Sequence, residues 1–97
     1  MSTQALSVRH NEQAQRFELG QEPQMAVLTY TRKGDLVIFN HTYVPDEFRG
    51  LGRGAKLVRA ALEEARRLGW KVVPSCWFVA EYIDRNPEFR ELVAGGV

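Results

Sequence analysis

The chain has 97 residues, of which 44% are apolar and 10% aromatic, so residues 1–97 are expected to form a single domain around one modest hydrophobic core. Thirteen basic and twelve acidic side chains leave a net charge of +1, which excludes the pervasive positive field of a protein that coats nucleic acid. The single cysteine, Cys76, excludes an internal disulfide and a cysteine cluster for a metal. The N-terminus is polar and no apolar run approaches roughly 20 residues, so we expect a cytoplasmic protein without a membrane span.

The first half of the chain is predicted to form antiparallel strands. Residues 6–19 hold two short alternating runs around a polar segment, His10 to Gln15, and predict two edge strands joined by a tight connection. No role is expected for the histidine of that polar turn. Gly20 to Pro23 is a loop signal. The strand formers from Met25 to Thr31 and from Leu36 to Val44 flank a glycine-containing turn, so they predict a hairpin.

The second half of the chain switches to the period of a helix. Apolar residues recur at spacings of three and four from Leu51 to Ala65, and Gly69 stands where such a helix ends. Residues 70–73 form a short strand, which Pro74 ends. A strand, helix and strand of this length require a parallel crossover. The predicted fold is therefore α+β in layers, a mixed sheet with an antiparallel N-terminal meander and a parallel strand-helix-strand crossover.

Two further helices are expected after this crossover. Ser75 is the predicted cap of a helix over residues 77–85, and Asn86-Pro87 begins a last short helix. Ligands of open α/β sheets bind where parallel strands end. We therefore expect His41–Val44, Arg49–Gly54 and Pro74–Cys76 to meet at one edge of the sheet.

The stretch FRGLGRGAK, residues 48–56, predicts an anion site. The first turn of a helix presents unpaired N–H groups and a partial positive charge, and glycines let the backbone approach an anion closely. A glycine-rich turn that only begins a helix is the alternative. The residues also satisfy the dinucleotide fingerprint G-x-G-x-x-G/A, but residues 70–76 lack the carboxylate that this fingerprint requires. The P-loop pattern fails as well, because Lys56 follows an alanine and precedes a leucine.

Read as Arg49-x-x-Gly52-x-Gly54, the same segment resembles the R/Q-x-x-G-x-G/A motif of the GNAT superfamily of acetyl-CoA-dependent N-acetyltransferases. The predicted order of elements is similar to that of the superfamily. The stretches HTYVPDEFRGLGRGAKLV, KVVPSC and RNPEF resemble its very small single-domain members, sometimes called the YjdJ type. The chain departs from larger members in having no room for helices between its first two strands, so its acceptor side is expected to be open or completed by a partner.

The resemblance implies acetyl-CoA as cosubstrate. It implies that the coenzyme A pyrophosphate lies on the backbone amides of six residues, which are Arg49, Gly50, Leu51, Gly52, Arg53 and Gly54. The pantetheine arm is implied to run along the strand end formed by Thr42, Tyr43 and Val44. Arg53 and Lys56 are either partners of the adenosine-side phosphates or solvated helix residues. The expected partners are coenzyme A and an unidentified amine or protein acceptor, with no metal, nucleic acid or membrane.

Three side chains are candidates for the chemistry. Cys76 follows a strand end beside a helix N-terminus, which favours a thiolate, and it is a nucleophile or a small packed thiol. His41 precedes the implied pantetheine stretch and is a general base or a structural hydrogen-bonding group. Tyr82 lies on the helix that carries the proton donor in many superfamily members, but its spacing to Phe89 does not match the usual pattern cleanly. It is either a proton donor or, as slightly favoured, a core aromatic.

The leading hypothesis is direct acetyl transfer to an amine in a ternary complex, with His41 and Cys76 near the thioester. The alternative is a non-catalytic module or sensor that binds coenzyme A or acyl-CoA. A nucleic-acid-binding protein is a distant third, because acidic residues dilute the basic ones of the central helix.

Overall fold

Five strands and three helices make up the described part of the chain, which in this computed structural model comprises residues 7–21, 23–46, 50 and 52–95. The strands are β1 (Val8–Asn11), β2 (Arg16–Gln21), β3 (Gln24–Lys33), β4 (Leu36–Tyr43) and β5 (Lys71–Pro74). The helices are α1 (Arg53–Leu68), α2 (Trp77–Arg85) and a short 3₁₀ helix, α3 (Pro87–Leu92).

All five strands belong to one sheet in the order β1-β2-β3-β4-β5. Neighbours are antiparallel as far as β4, whereas β4 and β5 run parallel, from Leu36 paired with Lys71 to Phe39 paired with Pro74. Helix α1 is the crossover between these two parallel strands. The predicted α+β fold, with an antiparallel meander followed by a parallel crossover, is therefore confirmed.

The core lies between one face of the sheet and the helices. Because side chains of a strand alternate between faces, β4 buries Val37 and Phe39 completely while Leu36 stays 37% exposed. Helix α1 turns an apolar stripe toward this face, and its buried residues are Gly54, Leu57, Val58, Ala61, Leu62 and Ala65. The stripe recurs at spacings of three and four, as an amphipathic helix requires.

A β-bulge divides β4 into two parts. Tyr30 pairs with Phe39 but Thr29 pairs with His41, so Asn40 is an extra residue in β4. Beyond it the alternation is shifted by one residue, which places Thr42 rather than His41 on the face that bears the helices. Strand β5 pairs with β4 only as far as Phe39. Among the described residues, the stretch from Asn40 to Tyr43 therefore has a strand partner on its β3 side alone.

Glycines in the left-handed region mark both ends of α1. Gly52 has φ 74° at the N-cap position, and Gly69 has φ 75° at the C-terminal end. The Gly69 N–H donates to the Arg66 carbonyl at 3.2 Å and the Trp70 N–H donates to the Ala65 carbonyl at 2.9 Å, which satisfies two carbonyls of the last turn. The predicted helix end at Gly69 is confirmed.

Several local predictions for the N-terminal strands are wrong. His10 lies in β1, paired with Phe17, and not in the polar turn. Its ring stacks on that of Phe17 with centroids 4.2 Å apart, so the sheet recruits it as a packed aromatic. Strand β2 is not an edge strand, because β3 pairs with it as far as Gln21 and Gln24. The predicted Gly20–Pro23 loop is correspondingly shorter.

The predicted helix caps are also partly wrong. Cys76, not Ser75, occupies the N-cap position of α2, and no side chain caps that helix. The Ser75 N–H instead donates to the Val73 carbonyl at 3.0 Å. Asn86 does precede the last helix with Pro87 in its first turn, but its side chain donates back to the Tyr82 carbonyl at 2.9 Å. Within the described ranges, no helix is long and apolar enough to cross a membrane.

Candidate functional site

The N-terminus of α1 combines several features that favour an anion. Its N-cap residue is Gly52, no side chain caps it, and its first turn carries no acidic residue. The first intrahelical bond of this end runs from the Lys56 N–H to the Gly52 carbonyl at 3.0 Å. The N–H groups before it have no intrahelical acceptor, and the helix dipole adds a partial positive charge there. Gly50, with φ 82°, brings the preceding backbone into the same region without a side chain.

A cavity of about 450 Å³ lies against this helix end. Residues of the outer part of β4, the α1 N-terminus and the start of α2 line it: Thr42, Val44, Gly50, Gly52, Arg53, Gly54, Ala55 and Phe78. The α1 N-terminus contributes glycine backbone together with Arg53 and Ala55, whereas Val44 and Phe78 contribute apolar side chains. The cavity therefore joins a positive backbone surface to a wall with apolar side chains.

Gly54 is needed where α1, α2 and β4 approach one another. A Cβ atom at this position would lie 2.9 Å from Cζ and 3.1 Å from Cε2 of Phe78, and 3.3 Å from Cγ2 of Val44. Distances under 3.0 Å force a neighbour to move, so the missing side chain lets Phe78 lie directly over the first turn of α1.

Cys76 lies at the inner end of this region. Its N–H donates to the Phe39 carbonyl at 2.9 Å, which holds the chain against β4 just where β5 stops pairing. Its Sγ atom is 3.2 Å from Oγ1 of Thr42, and either group can be the donor. The thiol is half-buried. The structure thus brings Cys76 and the cavity residue Thr42 into direct contact.

His41 lies next to Thr42 in sequence but on the other face of the sheet, as the alternation of side chains requires. It is exposed, and its carbonyl accepts a hydrogen bond from Oγ1 of Thr29 at 3.4 Å. Tyr43 shares a face with neither Thr42 nor Val44 and is 51% exposed. The structure therefore does not bring His41 and Cys76 together on one face, and of the strand-end residues only Thr42 and Val44 line the cavity.

The two described basic residues of the glycine segment, Arg53 and Lys56, line different cavities. Arg53 lines the cavity. Lys56 lies one turn further along α1 and lines a different cavity, between that helix and Val8 of β1. Arg49 and Leu51 lie outside the described residues, so their predicted contacts with a pyrophosphate stay predictions.

Tyr82 faces helix α1. Its hydroxyl accepts a hydrogen bond from Nη1 of Arg59 at 3.4 Å, and its ring centroid lies 6.1 Å from that of Phe89. It is not among the side chains that line the cavity. Tyr82 is partly buried against the core, and its hydroxyl lies between two helices.

Ala55 and Phe78 are the two cavity residues that sequence reasoning missed. Phe78 belongs to a helix whose buried residues are Val79 and Ile83, so the next residue, Val79, takes the position in the core. Nothing in the local pattern around Phe78 indicates a ligand, because its partner, Gly54, is distant in sequence. Within the described ranges, no group of three or more histidine, cysteine, aspartate or glutamate side chains can hold a metal ion.

Comparison with known proteins gives consistent likenesses. The family described as GCN5-related N-acetyl-transferase matches residues 16–92. Protein NATD1 of Mus musculus is 33% identical over 85 residues, which cover 84% of this chain and 77% of that protein, and the same protein of Gallus gallus is 32% identical with the same coverage. The solution structure of a GCN5-like protein from Staphylococcus aureus has a TM-score of 0.74 at 28% identity, and the match covers 98% of this chain and 92% of that one.

Proposed function

The chain belongs to the GCN5-related N-acetyl-transferase family, and on that premise we propose that it transfers an acetyl group from acetyl-CoA to an amine acceptor. The observation that carries the proposal is that one cavity is lined both by the uncapped N-terminus of α1 and by Thr42, whose hydroxyl contacts Cys76. A coenzyme with a charged phosphate end and a reactive thioester end needs those two features joined by a passage.

The residues of the cavity fit coenzyme A at its charged end. The N–H groups of the first α1 turn and the backbone at Gly50 and Gly52 would hold the pyrophosphate, since glycines leave this surface open. Arg53 lines the same cavity and adds a positive charge. The first turn has no carboxylate that would repel a phosphate.

The outer half of β4 fits the arm of the coenzyme. Between Asn40 and Tyr43 this strand lacks a strand partner on its β5 side within the described residues. Its backbone groups on that side are open to the amide groups of an extended ligand, which would lie there as an added strand. Thr42 and Val44 would face such a ligand, because both line the cavity.

Acetyl-CoA supplies an activated acyl group as a thioester. In the transfer the amine nitrogen forms a bond to the carbonyl carbon, the bond from that carbon to sulfur breaks, the amine loses one proton, and the leaving thiolate gains one. The hydrogen-bonded pair of Thr42 and Cys76 carries protons on the helix-bearing face next to the cavity, and we assign protonation of the thiolate to it. A transient acetyl-cysteine at Cys76 is the alternative route.

His41 remains a candidate base on the opposite face of the sheet. Its ring is exposed, so it can take a proton from an acceptor that approaches across the open sheet edge. We expect a slower reaction in His41→Ala with unchanged acetyl-CoA affinity. A rate equal to that of the wild-type protein would remove His41 from the mechanism.

The first experiment is a calorimetric titration of the protein with acetyl-CoA, coenzyme A, NAD and ATP at equal concentrations. The proposal expects selective binding of the first two. Preference for NAD or ATP, with neither coenzyme binding, would overturn it. Gly52→Ala tests the predicted phosphate site at the α1 N-terminus. Gly34→Ala is its matched control, because both glycines have positive φ but Gly34 lies in the distant β3–β4 turn.

Transfer itself is measured by release of free coenzyme A against a panel of amines and peptides. Cys76→Ser retains a hydrogen-bonding group beside Thr42, whereas Cys76→Ala removes it. Proton transfer through this pair predicts partial activity for the serine variant and little for the alanine variant. Acetyl-cysteine as the obligatory intermediate predicts a labelled protein of increased mass, which both variants abolish.

A non-catalytic module that binds coenzyme A or acyl-CoA is the second candidate. The observation that favours it is the separation of His41 and Cys76 onto opposite faces of the sheet, which leaves the two predicted catalytic groups apart. Tight binding of acetyl-CoA without transfer to any amine of the panel would favour the module over the enzyme.

A further inference from the structure

Phe78 lines the cavity together with the α1 N-terminus and Thr42. On one side it covers Gly54 in the first turn of α1, and on the other it shares the cavity wall with Thr42, which contacts Cys76. A ligand that reaches from the anion-binding backbone to the sulfur therefore has to pass this ring. The side chain is half-buried, packs against the core and also lines the cavity.

The position of the ring is fixed by packing from two elements. At Gly54 a hypothetical Cβ comes within 2.9 Å of Cζ of Phe78, so the ring is in contact with the α1 backbone. The same hypothetical atom is 3.3 Å from Cγ2 of Val44, which places the strand side chain beside the ring. Interiors this tightly packed do not absorb an extra methyl group without displacing a side chain.

We propose that Phe78 is a specificity-determining residue that binds the uncharged arm of an acyl-CoA ligand, and that the absence of a side chain at Gly54 sets the position of its ring. The inference rests on the proposed function. Two parts of the cavity would then bind two parts of the ligand: the α1 N-terminus binds the charged end, and Phe78 binds the uncharged arm. Aromatic rings suit this role because they offer a large rigid apolar surface.

The first test compares a ligand that has the arm with one that lacks it. Coenzyme A and adenosine 3′-phosphate 5′-diphosphate share the charged end, and only coenzyme A carries the arm. Phe78→Ala removes the aromatic surface against which the arm would pack, so coenzyme A should bind about tenfold more weakly, which corresponds to about 1.4 kcal/mol. The affinity for adenosine 3′-phosphate 5′-diphosphate should change less than twofold.

Trp77→Ala is the matched control. Trp77 is the preceding aromatic residue of α2, is 72% exposed and does not line the cavity. Its removal should leave the affinity for both ligands unchanged. Phe78→Leu is the conservative variant in case Phe78→Ala does not fold, and about threefold weaker binding of coenzyme A is expected for it. Binding of the armless ligand reports in every variant that the α1 N-terminus is intact.

The second test asks whether Gly54 acts through the ring. Gly54→Ala should push Phe78 toward the cavity and weaken coenzyme A binding several-fold. In the Phe78→Leu background the same substitution should cost less than twofold, because the flexible leucine gives way. This interaction between the two sites is a signature that general destabilisation of the fold would not produce.

The outcomes separate the inference from the function on which it rests. If the wild-type protein binds neither coenzyme A nor acetyl-CoA, both fall. If it binds coenzyme A and Phe78→Ala binds it equally well, or weakens both ligands alike, the assignment of Phe78 to the arm is refuted while the proposed function stands. Equal costs of Gly54→Ala in the two backgrounds would refute the role of Gly54 in setting the ring.

Discussion

Replacement of His10 by alanine is predicted to be among the costly changes away from the candidate site. The side chain is 13% exposed and stacks on Phe17, and its Nε2 atom lies 2.8 Å from the Tyr30 hydroxyl. Its Nδ1 atom lies 3.4 Å from a Glu64 carboxylate oxygen, and the Trp70 ring meets it edge-on at 5.5 Å. The imidazole thus connects β1 with β3 and with helix α1.

The magnitude follows from what His10→Ala leaves behind. The Tyr30 hydroxyl, on a residue only 4% exposed, loses its partner at a cost of about 1–3 kcal/mol. Loss of the ring contacts adds about 1 kcal/mol. We therefore expect about 3 kcal/mol of lost unfolding free energy. Urea unfolding followed by tryptophan fluorescence should show the midpoint about 2 M lower at an unchanged slope.

A double-mutant cycle separates the hydrogen bond from the packing. His10→Phe retains a flat ring on Phe17 but leaves the Tyr30 hydroxyl unpaired, and Tyr30→Phe leaves the imidazole nitrogen unpaired. The double variant removes both polar groups, so it should cost no more than either single variant, with a coupling of about 1–2 kcal/mol. Strictly additive costs, or a His10→Ala cost below about 1 kcal/mol, would show that the buried hydrogen bond has been misjudged.

Three further predictions address acid stability and the two glycines that flank α1. Burial acts to raise the pKa of Glu18, but hydrogen bonds from Asn11 and Arg16 and the positive charge of Arg16 outweigh it and lower this pKa overall. The ionised carboxylate therefore stabilises the fold above the unfolded pKa, and this stabilisation is lost as pH falls through the lower folded pKa. In unfolding titrations below about pH 4.3, the stability of Glu18→Gln should therefore depend less on pH than that of the wild-type protein. Gly69→Ala should cost about 1 kcal/mol in urea unfolding, because φ 75° is strained for alanine; a cost near zero would contradict the helix-end geometry. Gly52→Ala should weaken coenzyme A binding in calorimetry more than it lowers stability, since its φ of 74° shapes the N-terminal turn of α1; equal affinity would argue against an anion at this helix end.

The candidate site was partly predictable because part of it is local. Glycines at the start of a helix predict exposed N–H groups whatever the rest of the chain does, and Gly52 confirms the local geometry with a positive φ. The parallel arrangement of β4 and β5 follows from the strand-helix-strand order, so topology brings the end of β4 close to Cys76. The contact of the Thr42 side chain with Cys76 depends in addition on the bulge at Asn40.

The sequence pattern and the order of elements did not predict which face of the sheet carries the His41 side chain. A regular strand would put residues 37, 39, 41 and 43 on one face, which would turn His41 and Tyr43 toward the helices. The extra residue Asn40 reverses this order, so that Thr42 and Val44 take those positions. The bulge arises from the pairing of β4 with β3, and the residue types near Asn40 do not predict it.

The sequence by itself determined the elements, their order and the crossover of this family fold, since apolar periodicity, helix-ending glycines and connection lengths act within a few residues. The tertiary structure alone decided which side chains meet. The burial of His10 depends on β3 and α1, and the seat of Phe78 depends on the missing side chain of Gly54, a residue distant in the chain. Such contacts are set by close packing between elements, and packing is a property of the assembled fold rather than of any segment.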